Sequence, residues 1–540
     1  MTDTFHKLQA LWPEISLFAT TCVVMVVGLS PRKQVRDLCP VLCAIGLVVA
    51  GMLAMRTTPR MDAPFPFLAL YGKALVAAIG LLLLLVMSGT VDREFETGVS
   101  RGKVYDAIRA TRAEFYSFFL FSLTGLMLCA GADDLIWLFL ALELTSLPTY
   151  VMVTISTARN RSMEAGVKYF FLGALGAAVF LYGFAMLYGG TGETNLMKIQ
   201  AELASQSAGG GINAIAMLGL ILSVLGMCFK IAAVPMHFYT PDVYQGAASP
   251  VAAFLAFVPK AAGFFGIILV VSTAGWTVNA DGVRALPAEL HVTLWIIAVA
   301  TMTMGNVLAV LQHSVKRILA YSSIAHSGYM LVGVIAGPAV AGGSFASSGI
   351  AAVLFYLLCY GVMNLGAFAV LASLERRGAD GQLEEPDDIR DIRGLCKTHP
   401  MLGWVMVISS MGLLGLPPLL GFLGKVPLFS AGIAAQHYVL VIILGVNSAI
   451  AAYYYLRLAA FPLLEQPERD GAPTYTMSPY ATRRAAGVLS AAGVVVLAVV
   501  GGPFAARAFD AASTPDAPVA PARFDAPATA PAPVAEHARR

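Results

Sequence analysis

The chain has 540 residues, of which 58% are hydrophobic and 12% charged, with a mean hydropathy of +0.74. A soluble domain carries about twice that charged fraction, and apolar runs of about 17–25 residues, the length that crosses a hydrocarbon core, recur along nearly the whole chain. These figures exclude a soluble protein and a soluble domain on one anchor; the net charge of +3 implies no nucleic-acid partner, because topology distributes the basic residues.

The expected class is all-α, a polytopic protein whose partner is the lipid bilayer, with about fourteen transmembrane helices. Their centres are predicted near Thr21, Gly46, Ala78, Ser122, Thr145, Gly176, Gly219, Gly263, Ala300, Ile324, Tyr360, Gly412, Ala449 and Val495. Residues 1–114 hold three of these spans and a cytoplasmic loop. The first apolar run, about Ile15 to Leu29, has no small-residue cleavage site after it and leads into Ser30-Pro31-Arg32-Lys33, so it reads as a retained span rather than a cleavable signal. Residues 91–114 are a polar insertion to which no function is assigned.

A first set of five spans is expected over residues 115–275. Glu143 lies about nine residues into the span that begins near Asp134, in Phe139-Leu-Ala-Leu-Glu143-Leu-Thr-Ser-Leu-Pro148, too deep to reach an interface. Lys230 comes late in the span starting near Ile212. Pro235 follows it and breaks the helix, exposing backbone groups that a bundle tolerates only where they line a cavity or are covered by protein. His237 and Asp242 lie just past the break, and His237 is a candidate proton relay or a helix-end hydrogen-bond partner. Lys260, in Phe257-Val-Pro-Lys260-Ala-Ala-Gly-Phe264, is again mid-span. A charge at the bilayer centre costs roughly 2.5–3.5 kcal/mol even on a lenient scale, so each such residue points to function.

A second set is expected over residues 288–462. His326, in Tyr321-Ser-Ser-Ile-Ala-His326-Ser-Gly328, is mid-span and polar-flanked, a further possible relay. Lys316 and Arg317 read as interfacial, and Lys73 and Lys168 as snorkelling from span ends. The charged segment Arg376–Pro400 reads as a structured cytoplasmic connection. Gly415-Leu-Pro417-Pro418-Leu-Leu-Gly421-Phe-Leu-Gly424-Lys425 holds two prolines and three glycines, a second break beside a second lysine. Each broken span is fourth of five in its set, the arrangement expected of two inverted five-helix repeats with two broken helices at their interface. A C-terminal span over residues 463–510 and an Ala/Pro-rich tail over 511–540, expected to be disordered, complete the chain.

Counted over alternate loops, twenty-one Lys and Arg fall on one side and five on the other, which predicts both termini outside the cytoplasm. The seven cysteines show no C-x-x-C spacing, and no P-loop or G-x-G-x-x-G is present, so neither a metal, a disulfide framework nor a nucleotide site is expected. Redox chemistry linked to this chain would belong to other subunits.

Lys230-x4-Pro235-Met-His237-x3-Pro241-Asp242-Val-Tyr-Gln-Gly246, Pro259-Lys260-Ala-Ala-Gly-Phe264, Lys316-Arg-Ile-Leu-Ala-Tyr-Ser-Ser-Ile-Ala-His326-Ser-Gly-Tyr329 and Gly415-Leu-Pro-Pro-x2-Gly-Phe-x-Gly-Lys425 resemble the antiporter-like membrane subunits of respiratory complex I, NADH-quinone oxidoreductase. The similarity runs from about Phe115 to Phe461 and is greatest to the subunit N branch. The Pro-Lys-Ala-Ala-Gly-Phe string and a lysine at 425 are typical of that branch. The resemblance implies a proton-translocating subunit in a bacterial cell inner membrane, flanked by other antiporter-like subunits. FMN, iron–sulfur clusters and quinone are expected in partner subunits and no cofactor here. It also implies roles: Glu143 and Lys230 as an ion pair, Lys260 as a central relay, Lys425 as the residue gating the far half-channel. A multi-subunit sodium/proton antiporter has the same fold and stays open as an alternative. A purely structural scaffold is the third reading, and it predicts silent alanine variants.

Overall fold

The structure, a computed structural model, describes residues 8–93, 95–96, 111–157, 159–278, 284–340, 342–378, 383–466 and 475–514. Of the tail expected to be disordered over 511–540, residues 515–540 lie outside that set, as does most of the 91–114 insertion, whereas Ala511 instead closes the helix Gly502–Ala511.

The longer helices are α1 (Trp12–Gly28), α2 (Cys39–Ala54), α3 (Leu68–Met87), α4 (Arg112–Ala130), α5 (Leu135–Ile155), α6 (Asn160–Thr191), α7 (Leu196–Ala208), α8 (Ala214–Met227), α9 (Tyr239–Gly246), α10 (Ser249–Ala274), α11 (Ala288–Val310), α12 (Val315–Ala336), α13 (Gly349–Ser373), α14 (Pro400–Leu414), α15 (Leu420–Ala434), α16 (Tyr438–Leu464), α17 (Ala481–Val500) and α18 (Gly502–Ala511). Among the described residues eleven helices are long and apolar enough to cross a membrane, and α1, α8, α14 and α15 are shorter apolar helices. The predicted span centres all lie within these fifteen.

Burial sorts the helices into a centre and a rim. The most apolar windows of α10 and α13 are wholly buried and that of α12 almost so, whereas those of α2 and α17 are one-third buried. Helices apolar on every side belong in the middle of a bundle, and one-sided ones at its edge. Lys260 and His326 are therefore carried by two of the three most enclosed helices.

Two short sheets lie in connections. β1 (Thr277–Val278) pairs antiparallel with β2 (Arg284–Ala285), and β3 (Leu374–Arg377) lies between β4 (Leu383–Glu384) and β5 (Thr476–Met477). Within the described residues of the Arg376–Pro400 connection, the second sheet and the 3-10 turn Ile389–Ile392 supply regular structure.

Both proline-rich segments interrupt helices. α8 stops at Met227, and an irregular stretch with a cis Val234–Pro235 peptide leads to α9; α14 stops at Leu414, and a stretch with a cis Pro417–Pro418 peptide leads to α15. The freed backbone groups are satisfied inside the protein. Tyr239 donates to the Phe229 carbonyl at 2.7 Å, Ser327 to the Ile231 carbonyl at 2.5 Å, and the Val234 amide to Thr301 Oγ1 at 3.0 Å. Irregular backbone at this depth persists because protein, not lipid, completes its hydrogen bonds.

Two positions differ from the sequence reading. Lys73 does not snorkel: its side chain is 2% exposed and pairs with Glu14 at 2.8 Å, because α1 packs its one carboxylate against α3. Lys316 is not at an open interface either. It is buried against Glu385 at 2.7 Å under the folded Arg376–Pro400 connection. Arg317 and Lys168 are partly exposed and both reach Asp242, the latter as expected of a span end.

Candidate functional site

Lys230 lies in the irregular stretch just beyond α8, and the break aims its ammonium at α5. Nζ donates to Glu143 Oε1 at 2.9 Å, to Ser146 Oγ at 2.6 Å and to the Leu142 carbonyl at 3.4 Å. Three acceptors satisfy its three protons. The lysine side chain is 1% exposed and the glutamate 17%, so the carboxylate end of the pair is the more exposed one. Gly263 of α10 permits this approach, since a Cβ there would stand 2.9 Å from Lys230 Cβ and 2.6 Å from Ile231 Cγ2.

Lys260 projects from α10 toward α12. Its Nζ donates to Ser327 Oγ at 2.7 Å and to the Ser323 carbonyl, and lies 5.2 Å from the Tyr360 ring centre. Ser327 in turn donates its hydroxyl to the carbonyl of Ile231, the residue after Lys230. One serine thus bridges the first break and the central lysine.

His326 stands one residue from Ser327 and faces the other way. Nδ1 bonds Tyr356 Oη at 2.5 Å and Nε2 bonds Tyr455 Oη at 2.7 Å, and Tyr455 also bonds Ser322. Its ring centre is 5.1 Å from that of Tyr360 and 5.4 Å from that of Tyr329. Lys425 lies on the far side of Tyr329, with Nζ 5.3 Å from that ring centre, and donates at 2.8 Å to the Leu414 carbonyl that the second break leaves without a helical partner. Gly415 holds φ at +86°, and a Cβ there would stand 3.0 Å from Lys425 Cδ. Among the described residues no carboxylate is within ion-pair distance of Lys260 or Lys425.

The structure therefore brings Glu143, Lys230, Lys260, His326 and Lys425 into one buried series, in which Ser327 hydrogen-bonds both Lys260 and the Ile231 carbonyl while the Tyr360 and Tyr329 rings pack between the later members. A hydroxyl or an imidazole can give up and receive a proton, and an ammonium can give one up and regain it as the amine, so the series has the chemistry of a relay. His237 is not part of it. Its ring rests near Phe238 and, among the described residues, its Nδ1 has no hydrogen-bond partner. The seven cysteines are free thiols, and no group of three or more His, Cys, Asp or Glu among the described residues could hold a metal.

The family model described as NADH:quinone oxidoreductase/Mrp antiporter, TM, matches residues 132–451, the stretch that holds Glu143, Lys230, Lys260, His326 and Lys425. NADH-quinone oxidoreductase subunit N of Trichlorobacter lovleyi is 36% identical over 500 residues, 92% of this chain and 94% of that one. The chain belongs to the NADH-quinone oxidoreductase subunit N family. Subunit N 1 of Rhizobium meliloti is 35% identical over 94% of this chain and 98% of its own. A chain of respiratory complex I from Thermus thermophilus superposes with a TM-score of 0.70 at 30% identity, covering 91% of this chain and 98% of that one.

For this member of the subunit N family the sequence reading missed the uncharged members of the series. Ser146, Ser327, Tyr329, Tyr356, Tyr360 and Tyr455 look like ordinary span residues. The signal for three of them lay in spacing: Ser327 is one turn from Ser323 on the same helical face, an i, i+4 step, and Tyr356 and Tyr360 are likewise one turn apart.

Proposed function

We propose that the chain is a proton-translocating membrane subunit of NADH-quinone oxidoreductase, carrying protons along Lys230, Lys260, His326 and Lys425 while electron transfer from NADH to quinone proceeds in other subunits. Those partner subunits would hold the FMN, iron–sulfur clusters and quinone. The observation that carries this reading is the buried series itself, in which each lysine is held by neutral acceptors or one carboxylate rather than by a web of ion pairs.

The physics suits such a role. A lysine in water has a pKa of about 10.4, desolvation lowers it, and a nearby carboxylate raises it. A carboxylate moving toward or away from a buried ammonium by a few ångströms therefore switches its proton affinity. A change of about three pKa units is roughly 4 kcal/mol, larger than the 2.3 kcal/mol needed to move one charge against 100 mV. Glu143, the more exposed partner of Lys230, is the group that would move.

The same reading includes fourteen spans in a bacterial inner membrane, with both termini periplasmic and two inverted five-helix repeats over residues 115–275 and 288–462. The lopsided distribution of Lys and Arg supports the orientation, and the matching breaks at Pro235 and Pro417-Pro418 support the repeats. The test is proton pumping with NADH as substrate in membrane vesicles that carry the assembled complex. NADH-driven pumping that Lys230→Ala abolishes is expected. Sodium-dependent proton exchange without redox activity would assign the chain to the antiporter class instead.

A further inference from the structure

At the end of the bundle where α10 and α12 begin, the segment after β4 passes over both helix N-termini. Glu385 Oε2 accepts from the Ser249 amide at 2.8 Å, from Ser249 Oγ at 2.6 Å and from Lys316 Nζ at 2.7 Å. Lys316 also donates to the Ala247 carbonyl at 3.0 Å. The carboxylate thus occupies the place where the first amides of α10 have no helical partner, and it neutralises a buried lysine of α12. Glu385, Lys316 and Ala247 form part of the wall of a cavity of about 590 Å³ that Arg93, Arg159, Glu375 and Arg483 also line. Burial by itself would raise the Glu385 carboxyl, but Lys316, the Ser249 bonds and Arg483 together hold it below its ordinary value. It is ionised at neutral pH and has no proton to relay.

Its position has a consequence for Lys260. α10 and α12 run in the same direction from this clasp. Ser249 to Lys260 and Lys316 to Ser327 are both eleven residues, about 16 Å of helix. The clasp and the Lys260–Ser327 hydrogen bond are two rungs between the same pair of helices, at equal distances from their ends. A slip of one helix by a single residue, about 1.5 Å, would stretch the 2.7 Å bond from Lys260 Nζ to Ser327 Oγ to between about 3.1 and 4.2 Å, from the edge of hydrogen-bond range to beyond it. Adjacent bonds pull the same way: Asp387 accepts from Gln245 at 2.6 Å and from Ser314, and Arg317 reaches Asp242 at 2.7 Å. Together they tie α9, the half-helix after the first break, to the start of α12.

We propose that Glu385 is a positioning residue for proton transfer at Lys260, fixing the axial register of α10 against α12 through the Ser249–Glu385–Lys316 clasp. The proposal rests on the reading of Lys260 as a proton carrier. Its test uses the assembled complex in native membrane vesicles, with protons pumped per NADH oxidised measured across pH for Glu385→Ala, Glu385→Gln, Glu385→Asp, Lys316→Met and Lys260→Met. Glu385→Ala is expected to lower the ratio about tenfold and to displace its pH profile, because ångström-scale misplacement of a reacting group has effects of this order or more. Glu385→Asp restores most of the ratio, Glu385→Gln falls between, and adding Lys316→Met to Glu385→Ala causes no further loss. A wild-type ratio and profile in Glu385→Ala, beside an inactive Lys260→Met, overturns the proposal. So does a loss that merely follows the amount of assembled complex at every pH. Normal pumping by Lys260→Met overturns the carrier reading itself. Amide exchange in the first turn of α10 then reports on the clasp alone: at least tenfold faster in Glu385→Ala if it exists, unchanged if it does not.

Discussion

Lys230 follows a helix that ends at Met227 and meets a carboxylate at 2.9 Å, whereas Lys425 follows a break at Gly415 and meets a carbonyl at 2.8 Å and a tyrosine ring. The backbone device is the same in both places. A proline-containing interruption lets the chain leave the helical ladder and a lysine sits beside it, Lys230 bonding across to α5 and Lys425 to the Leu414 carbonyl that the break frees. The electrostatics differ. Lys230 has a fixed counter-charge that a small movement of Glu143 could weaken, while the surroundings of Lys425 are neutral throughout. One end of the series is thus built to be switched by a partner, and the other to respond to the charge of its neighbours along the series.

The largest expected effect separates the two breaks by stability. Lys230→Met leaves Glu143 without its partner in a mostly buried site, and breaking such a pair costs about 3–5 kcal/mol. Lys425→Met removes a charge that no carboxylate balances, so it should leave the complex at least as stable as before. Thermal denaturation of the two purified variants checks this, and equal destabilisation would contradict the difference in electrostatics. Pumping should fall in both.

Gly415→Ala comes next. A residue with a Cβ at a φ of +86° is strained by about 1–2 kcal/mol, and this Cβ would press on the Lys425 stem. The variant should pump several-fold less than wild type while NADH oxidation continues, and normal pumping would show that the second break need not hold Lys425 in place. Ser327→Ala removes the bridge between the first break and Lys260. Loss of a hydrogen bond to a charged group is worth about 1.5–3 kcal/mol, so pumping should fall about tenfold at constant assembly. The smallest effect belongs to Tyr329→Phe. It keeps the ring beside Lys425 and loses a bond to Asn306, a neutral contact of about 1 kcal/mol, so at most a few-fold change in pumping is expected.

The series was legible in the sequence where charge breaks an apolar pattern, and much less so elsewhere. Glu143, Lys230, Lys260 and Lys425 stand out because water is the ordinary solvent for a charge and apolar spans provide none. Pro235 and Pro417-Pro418 stand out because neither can continue a helix. Ser327, Tyr329 and Tyr360 carry no such contradiction, since serine and tyrosine are ordinary in spans and acquire a role only from what faces them. Lys73 was misplaced for a related reason. Nothing local distinguishes a lysine that snorkels from one whose counter-ion, Glu14, lies on another helix. Glu385 was visible as one of several loop acids, but its bonds to Ser249 and Lys316 depend on how the connection folds back over two helices distant in sequence.

The clasp adds a pH dependence with a definite sign. Because the Glu385 carboxyl is held below its ordinary 4.5, its contribution to stability is present above about that pH and is lost as pH falls through the depressed value. Wild type should therefore lose an increment of thermal stability on acidification below pH 4.5 that Glu385→Ala has already lost. Parallel melting curves for the two would contradict the clasp.

Lys260 offers the most direct test of the whole account. It sits at the middle of the series with no carboxylate to leave unpaired, so replacing it separates transport from folding. Protons pumped per NADH oxidised by the Lys260→Met complex in sealed vesicles should fall at least tenfold with the complex intact, and an unchanged ratio would contradict a proton path through this chain.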